Sequence, residues 1–264
     1  MAPARPLPFD VVRAAAFGQY ARVADVVDGL ADADLDRPTR LPGWRVAELV
    51  AHTAHGVAVV ARYLAQPAPG RADRDLMGYL DGAVSVARDV AERAVQAAAG
   101  RTAEDLQAVM RAALADAQAA LVDQPSDRLV ATRLVALSLP DFLATRCVEG
   151  LVHGLDLAAA LGRAPAEIVH PDAARVVIRA LVGLLAARAP GRSVEVRVPP
   201  YAAVQCVAGP RHTRGTPPGV VEADPLAFVE LATGRLDWAA AVGDGRVRAS
   251  GERTDLSGLL PLMA

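Results

Sequence analysis

Two side chains capable of acid–base or metal chemistry lie four residues apart in an otherwise apolar segment, RCVEGLVHGLDLAAALG (residues 146–162). On a helix Glu149 and His153 would share one face, because residues at i and i+4 are neighbours there. A carboxylate and an imidazole can supply two ligands of a metal site. Such a pair is also common as a simple hydrogen-bonded or solvated pair, so the metal interpretation needs a third ligand from elsewhere in the chain.

A second apolar segment, LPGWRVAELVAHTAHG (residues 41–56), contains two candidates for that ligand, His52 and His55. A neighbouring helix can supply it, because packed helix axes lie only about 8–10 Å apart. Two His and one Glu are a known ligand set for catalytic zinc with an open position, and they also suit iron or other divalent ions. Spacing alone does not show that the two helices are neighbours, and either histidine could be structural.

Helical periodicity dominates the first 164 residues and indicates an up-and-down bundle that would carry these ligands. Helices are predicted over residues 9–31, 44–65, 75–99, 102–122 and 140–161. The fourth begins with a capping box formed by Thr102 and Asp105, and the last ends at Gly162. Residues 125–138 are predicted to be irregular, with at most a helical turn.

The pattern changes after Gly162, where alternation of apolar and polar residues predicts a smaller α+β domain. Its predicted elements are a helix over 172–189, strands in SVEVRVPP, AAVQCVAG and GVVEAD, a helix in DPLAFVELATGR, a hairpin in WAAAVGDGRVRASGE and a final helix in TDLSGLLPLM. Asp244-Gly245 is a strong turn signal for that hairpin. The predicted domains are therefore residues 1–164 and 165–264.

Composition excludes several classes of protein. The chain has 264 residues, of which 53% are hydrophobic and 22% charged, and its net charge of -2 is too balanced for electrostatic binding of nucleic acid. No run approaches the roughly 18 apolar residues that span a bilayer, and the N-terminus has no apolar signal-peptide core, so a cytoplasmic location is expected. All 28 basic residues are arginine, which excludes lysine Schiff-base chemistry. The two cysteines, Cys147 and Cys206, form no CxxC motif.

Both apolar segments resemble one known family. Residues 41–56 resemble the LPGW-x-V-x-x-L-x-x-H signature of the mycothiol-dependent maleylpyruvate isomerase family, whose N-terminal domain is a DinB-like metal-binding helical bundle. Residues 146–162 resemble the R-x-x-E-x-x-x-H-x-x-D-L segment of the same family, and residues 224–260 are similar to the sterol-carrier-like α+β domain that follows the bundle. The resemblance implies that His52, Glu149 and His153 bind a divalent metal, most often zinc, and that mycothiol is the thiol cofactor.

The resemblance also implies roles for the other polar residues of the two motifs. His55 becomes a neighbour of the metal that can help to bind the cofactor. Asp156 can orient a ligand imidazole, take part in catalysis or hold a group of the cofactor, or it can be an ordinary surface carboxylate. Arg146 is a candidate catalytic residue that can pair with a substrate carboxylate or with Glu149. Trp44 is expected to pack the start of its helix against the bundle.

The implied reaction is attack by a metal-activated thiol on a small electrophile. Addition to a cis double bond, rotation and elimination give isomerisation, whereas displacement or epoxide opening gives an S-conjugate, and the ligand set does not distinguish these outcomes. Two alternatives remain: a lipid- or small-molecule-binding protein acting through the C-terminal domain, and a metal-dependent hydrolase. The expected partners are a small electrophile and a thiol, without nucleic acid or membrane, in a monomer or homodimer.

Overall fold

The computed structural model describes residues 7–82, 87–210 and 218–263. They form two compact units: the first contains residues 7–79 and 87–173, and the second contains residues 80–82, 174–210 and 218–263. The first unit is mainly helical and the second is built on a four-stranded sheet. The predicted fold class, a helical bundle followed by a small α+β domain, is confirmed.

Helices account for most of the first part of the chain. In chain order they are α1 (Phe9–Val27), α2 (Asp32–Leu35), α3 (Val46–Leu64), α4 (Leu76–Gly82), α5 (Ala87–Ala98), α6 (Ala103–Ala120), α7 (Leu139–Leu161) and α8 (Pro165–Ile168). The long helices α1, α3, α6 and α7 agree with the sequence prediction. The helix predicted over residues 75–99 corresponds to α4 and α5, and residues 83–86 between them lie outside the described residues.

Four helices form a closed ring, in which α1 packs against α6 and α7, and α3 packs against the same two helices. α5 packs on the outside of α3. The residues that hold α3 and α7 in place are apolar and at most 1% exposed, as at Leu49, Val57, Leu143 and Leu151. Burial of each side chain of this size contributes about 1.5–3 kcal/mol to the stability of the fold. Apolar packing therefore positions the polar residues that these two helices carry.

Local capping residues set the ends of α6 and α7. Thr102 Oγ1 accepts a hydrogen bond from Asp105 N at 3.2 Å, and Asp105 Oδ2 accepts one from Thr102 N at 2.9 Å, which confirms the predicted capping box. At the start of α7, Ser138 Oγ accepts a hydrogen bond from Asp141 N at 3.2 Å. α7 ends as predicted at Gly162, which adopts the left-handed conformation with φ 68°.

The segment predicted to be irregular, residues 125–138, contains a short antiparallel hairpin instead. Its strands are β1 (Leu129–Ala131) and β2 (Ala136–Ser138), and they pack against α7. Val130 lies opposite Leu137, and both side chains are buried. The prediction was wrong because a three-residue strand is too short to show a period of two, so tertiary burial decides its conformation.

The remaining elements follow along the chain as α9 (Pro171–Arg188), β3 (Val194–Val198), β4 (Ala202–Cys206), β5 (Gly219–Ala223), α10 (Pro225–Ala232), α11 (Trp238–Gly243), β6 (Val247–Gly251) and a 3-10 turn at Ser257–Leu259. The strand order in the sheet is β4-β3-β5-β6. β3 and β5 are parallel, and the other neighbouring pairs are antiparallel. The predicted helices α9 and α10 and the strands β3, β4 and β5 are confirmed.

Two predictions for the end of the chain are wrong. The hairpin predicted around Asp244 is a helix, α11, followed by β6, which pairs with β5. Asp237 starts α11 by accepting a hydrogen bond from Ala240 N at 3.1 Å, and this cap favours a helix over the predicted strand. The predicted final helix reduces to the 3-10 turn, since Pro261 lacks an N–H donor and disfavours helix at the residue before it. Within the described residues, no helix is both long and apolar enough for a bilayer crossing.

Candidate metal centre

Three side chains on two packed helices converge in the first unit. His52 of α3 and Glu149 and His153 of α7 place ligand-type atoms within 4.8 Å of one another. His52 Nε2 lies 2.6 Å from Glu149 Oε1, and His153 Nε2 lies 3.8 Å from the same oxygen. The side chains are 12%, 24% and 14% exposed in chain order, so the cluster is largely enclosed but reaches solvent. The packing of α3 against α7, which spacing could not establish, creates this cluster.

The geometry of the cluster fits a divalent metal ion. Two imidazole nitrogens and one carboxylate oxygen form a zinc ligand set that leaves one position open. Ligand atoms bound at about 2.0–2.1 Å to one tetrahedral ion are roughly 3.3 Å apart. The observed separations of 2.6 and 3.8 Å lie on either side of that value. A small movement of Glu149 away from His52 and towards His153 would equalise them.

Asp156 holds His153 from the side opposite the cluster. Its Oδ2 lies 3.2 Å from His153 Nδ1, and its Oδ1 lies 3.3 Å from Nη2 of Arg40. The Asp156 side chain is fully buried, whereas Arg40 is 31% exposed. A carboxylate that accepts a hydrogen bond from a protonated Nδ1 favours the tautomer in which Nε2 carries no proton and faces the other ligands. The burial and contacts of Asp156 therefore favour orientation of the imidazole over direct contact with a cofactor.

A tight turn before α3 brings Arg40 towards Asp156. Trp44 N donates a hydrogen bond to Leu41 O at 3.1 Å, and Gly43 has φ 78°. Pro42-Gly43 favours this turn, because proline presets φ at the second position and glycine accepts a positive φ at the third. The sequence did not indicate Arg40 as part of the site, because a turn before a helix does not show which buried carboxylate a neighbouring arginine will meet.

Trp44 contacts both candidate histidine ligands. Its ring centroid lies 5.0 Å from that of His52 and 6.4 Å from that of His153, and the two imidazoles meet edge to face at 4.8 Å. The indole therefore forms an apolar wall beside the cluster. The sequence predicted a packing role for this residue at the start of α3, and its contact with the site was missed.

His55 lies on α3 but outside the converging group. Its side chain is exposed, and it lines a cavity of about 70 Å³ between α3 and α5 together with His52 and Arg93. Partial desolvation, followed by the positive charges of Arg62, His52 and Arg93, lowers the pKa of His55 below its usual value. Its assignment to cofactor binding stays a prediction.

Glu149 is ionised in this environment. Burial by itself would raise its pKa, but the charge of His52, the hydrogen bond from His52 and the charges of Arg146 and His153 hold the pKa of Glu149 well below its usual value. A deprotonated carboxylate is the form that binds a metal ion. The electrostatics of the cluster therefore agree with its geometry.

Arg146 lies one helical turn before Glu149 on α7 and is half-buried. Its Nε donates a hydrogen bond to Thr145 Oγ1 at 3.2 Å, and its Nη1 donates one to Gly56 O at 3.4 Å. Its guanidinium carbon is 5.7 Å from the ring centroid of Phe142. No carboxylate of the described residues lies within 4 Å of its nitrogens, and its positive charge acts on Glu149 from a longer distance.

Neither cysteine is suited to act as a nucleophile. Cys147 and Cys206 are both completely buried. Burial raises the pKa of Cys147 far above its usual value and raises the pKa of Cys206 to about 11. Because the thiolate is the reactive form, a thiol reaction at this site needs a thiol from outside the chain.

Comparisons with known proteins agree with this architecture. A family model described as the mycothiol maleylpyruvate isomerase N-terminal domain matches residues 18–158, and one described as a bacterial SCP ortholog matches residues 170–262. A search among curated proteins finds no match.

Two similar solved structures are the mycothiol-dependent maleylpyruvate isomerase and a histidine-to-alanine mutant of it, with 17% and 16% sequence identity. Each has a TM-score of 0.60 and aligns over 93% of this chain and 95% of its own. At this level of identity the likeness concerns the fold. Since the first family model covers more than half of the 264 residues, the chain belongs to the mycothiol maleylpyruvate isomerase family.

Proposed function

We propose that this chain is a metal-dependent isomerase that uses mycothiol to convert a small, carboxylate-bearing cis alkene of the maleylpyruvate type into its trans isomer. The observation that carries the proposal is the convergence of His52, Glu149 and His153 beside Arg146, whose nitrogens have no carboxylate within 4 Å among the described residues. Membership of the family supports the choice of thiol and of substrate class.

The three converging residues would hold the ion, and we propose zinc because two His and one Glu with an open position are a known ligand set for catalytic zinc. When bound, a divalent ion lowers the pKa of a thiol ligand towards or below neutrality, which provides a nucleophile at physiological pH. Glu149 is already ionised, so it needs no proton loss before binding. Asp156 Oδ2 would accept a hydrogen bond from His153 Nδ1, which keeps Nε2 free for the ion. The indole of Trp44 lies beside both imidazoles and would exclude water from one side of them.

Arg146 would bind a carboxylate of the substrate. Its guanidinium is held on one side by Thr145 and Gly56, which leaves other N–H groups for an anion. A carboxylate bound there would place the electrophilic carbon near the metal cluster, because Arg146 and Glu149 lie one turn apart on α7. A hydrogen bond to a charged group contributes about 1.5–3 kcal/mol to the free energy of an interaction. If Arg146 binds the substrate carboxylate, Arg146→Gln should therefore raise KM roughly 10- to 150-fold. The zinc content should be unchanged, because Arg146 is not a ligand of the ion.

The test is turnover of maleylpyruvate by the zinc-loaded protein, with and without mycothiol, followed by chromatography of the products. We expect trans product only with mycothiol present, and none from a His52→Ala variant. Accumulation of a stable S-conjugate would show that the enzyme catalyses thiol transfer rather than isomerisation. Equal turnover without any thiol would contradict the proposal. No observation on the described residues favours a lipid carrier or a hydrolase, and neither is proposed.

A further inference from the structure

The Tyr20 hydroxyl is a buried donor for which the structure of the described residues offers no hydrogen-bond partner. Tyr20 lies on α1 and is 1% exposed. Its Oη atom is buried and forms no hydrogen bond within the described part of the chain. Buried hydroxyl groups almost always have a partner, so an exception in a well-packed core calls for an explanation.

This hydroxyl and the Glu149 carboxylate approach the same point on α3. A methyl group placed on Gly56 would lie 3.1 Å from Tyr20 Oη, 3.3 Å from Glu149 Cγ and 3.6 Å from Glu149 Oε1. A methyl group placed on Gly150 of α7 would lie 3.2 Å from Cε2 and Cζ of the same phenol ring. Two glycines within helices, where glycine is unfavourable, thus leave room for the ring and bring its hydroxyl towards Glu149.

Glu149 loses a hydrogen-bond donor if the cluster binds an ion. Without an ion, His52 Nε2 lies 2.6 Å from Glu149 Oε1 and donates a hydrogen bond to it. When His52 Nε2 binds a metal, that nitrogen carries no proton and the hydrogen bond is lost. Arg146 Nη1 donates to Gly56 O, and in the proposed function the remaining N–H groups of Arg146 bind the substrate carboxylate. The Tyr20 hydroxyl is a nearby donor without a hydrogen-bond partner among the described residues.

We propose that Tyr20 is a positioning residue whose hydroxyl donates a hydrogen bond to Glu149 when the His52–Glu149–His153 cluster holds a divalent ion. This inference rests on the proposed function. Such a bond fixes the carboxylate in the position that the ion requires, as hydrogen-bond partners of metal ligands commonly do. Burial raises the pKa of Tyr20 well above its usual value, and this effect outweighs the opposing charge of Arg146, so the phenol keeps its proton and remains a donor.

The test is Tyr20→Phe in the full chain, which removes the hydroxyl and preserves the ring. Zinc affinity is measured by competition with a chromophoric chelator, and thermal unfolding is measured separately in EDTA. We expect the zinc dissociation constant to rise about tenfold or more. The metal-free melting temperature should stay the same or rise, because the variant loses a buried polar atom without a partner. Tyr63→Phe on α3 is the matched control and should leave the zinc affinity unchanged.

Three results would overturn the inference. Equal zinc affinity of Tyr20→Phe and the wild type would show that the hydroxyl does not support the ligand. A weaker affinity accompanied by an equivalent loss of metal-free stability would assign the effect to packing. A wild-type protein that takes up no zinc would refute the metal site, and with it both the proposed function and this inference. The first two results would refute the role of Tyr20 alone and would leave the proposed function intact.

Discussion

Replacing Asp156 by Asn tests the support behind His153. The carboxylate lies 3.2 Å from His153 Nδ1 and 3.3 Å from Nη2 of Arg40, and its side chain is fully buried. Asn keeps the size of the side chain and removes its charge. Breaking a buried ion pair destabilises a protein by about 3–5 kcal/mol. Since Arg40 is 31% exposed and water can solvate it in the variant, we expect a loss nearer to about 2–3 kcal/mol.

For a protein of this size that loss corresponds to a fall in melting temperature of roughly 4–12 °C. Zinc affinity should also fall about 10- to 100-fold, because the imidazole of His153 is no longer held in one orientation. Melting in EDTA and chelator competition measure the two effects. The control is Asp10→Asn, which removes the charge of a 78% exposed carboxylate paired with Arg13 and should change neither quantity. If Asp156→Asn behaves like this control, Asp156 does not orient His153.

Further predictions concern the ligands and the cysteines. His52→Ala, Glu149→Ala and His153→Ala should each lose zinc in elemental analysis and most thiol-dependent turnover, with circular dichroism near native, since apolar packing holds the bundle. Cys147→Ala and Cys206→Ala should retain turnover, because both thiols are buried with raised pKa values; an inactive Cys147→Ala with a native fold would point to an internal nucleophile. Folding lowers the pKa of Glu149, so its ionised form stabilises the metal-free protein above the unfolded-state pKa of about 4.3. The stability advantage over Glu149→Gln in urea titrations should start to shrink at that value and disappear only as the pH falls through the much lower folded-state pKa. An advantage that grows towards acid would be inconsistent with the lowered pKa.

The parts of the site that follow from helix geometry could be predicted from the sequence. The four-residue spacing of Glu149 and His153 fixes their common face wherever the helix packs. The choice of His52 over His55 came from the family resemblance, and the structure brings His52 to the pair because α3 packs against α7. Spacing alone gives no information on which helices are neighbours.

Other contributors come from elements that no local pattern connects to the site. Arg40 reaches Asp156 from a loop, and Tyr20 approaches Glu149 from α1. Their roles depend on tertiary packing, and an isolated Arg or Tyr in the sequence has no distinguishing signal. The same reason explains the errors in the fold: long helices have strong periodicity, whereas β1, β2 and α11 are short elements determined by burial and by a single cap.

The most direct test of the central claim is a calorimetric titration of mycothiol into zinc-loaded and zinc-free protein, carried out in buffers with different ionisation enthalpies. We expect one mycothiol to bind per zinc-loaded chain with release of a proton, because a thiol that binds the ion becomes a thiolate. The zinc-free protein and the His52→Ala variant should show no such binding. Equal mycothiol affinity with and without zinc, or no binding to the zinc-loaded protein, would contradict the assignment of His52, Glu149 and His153 as a thiol-activating metal centre.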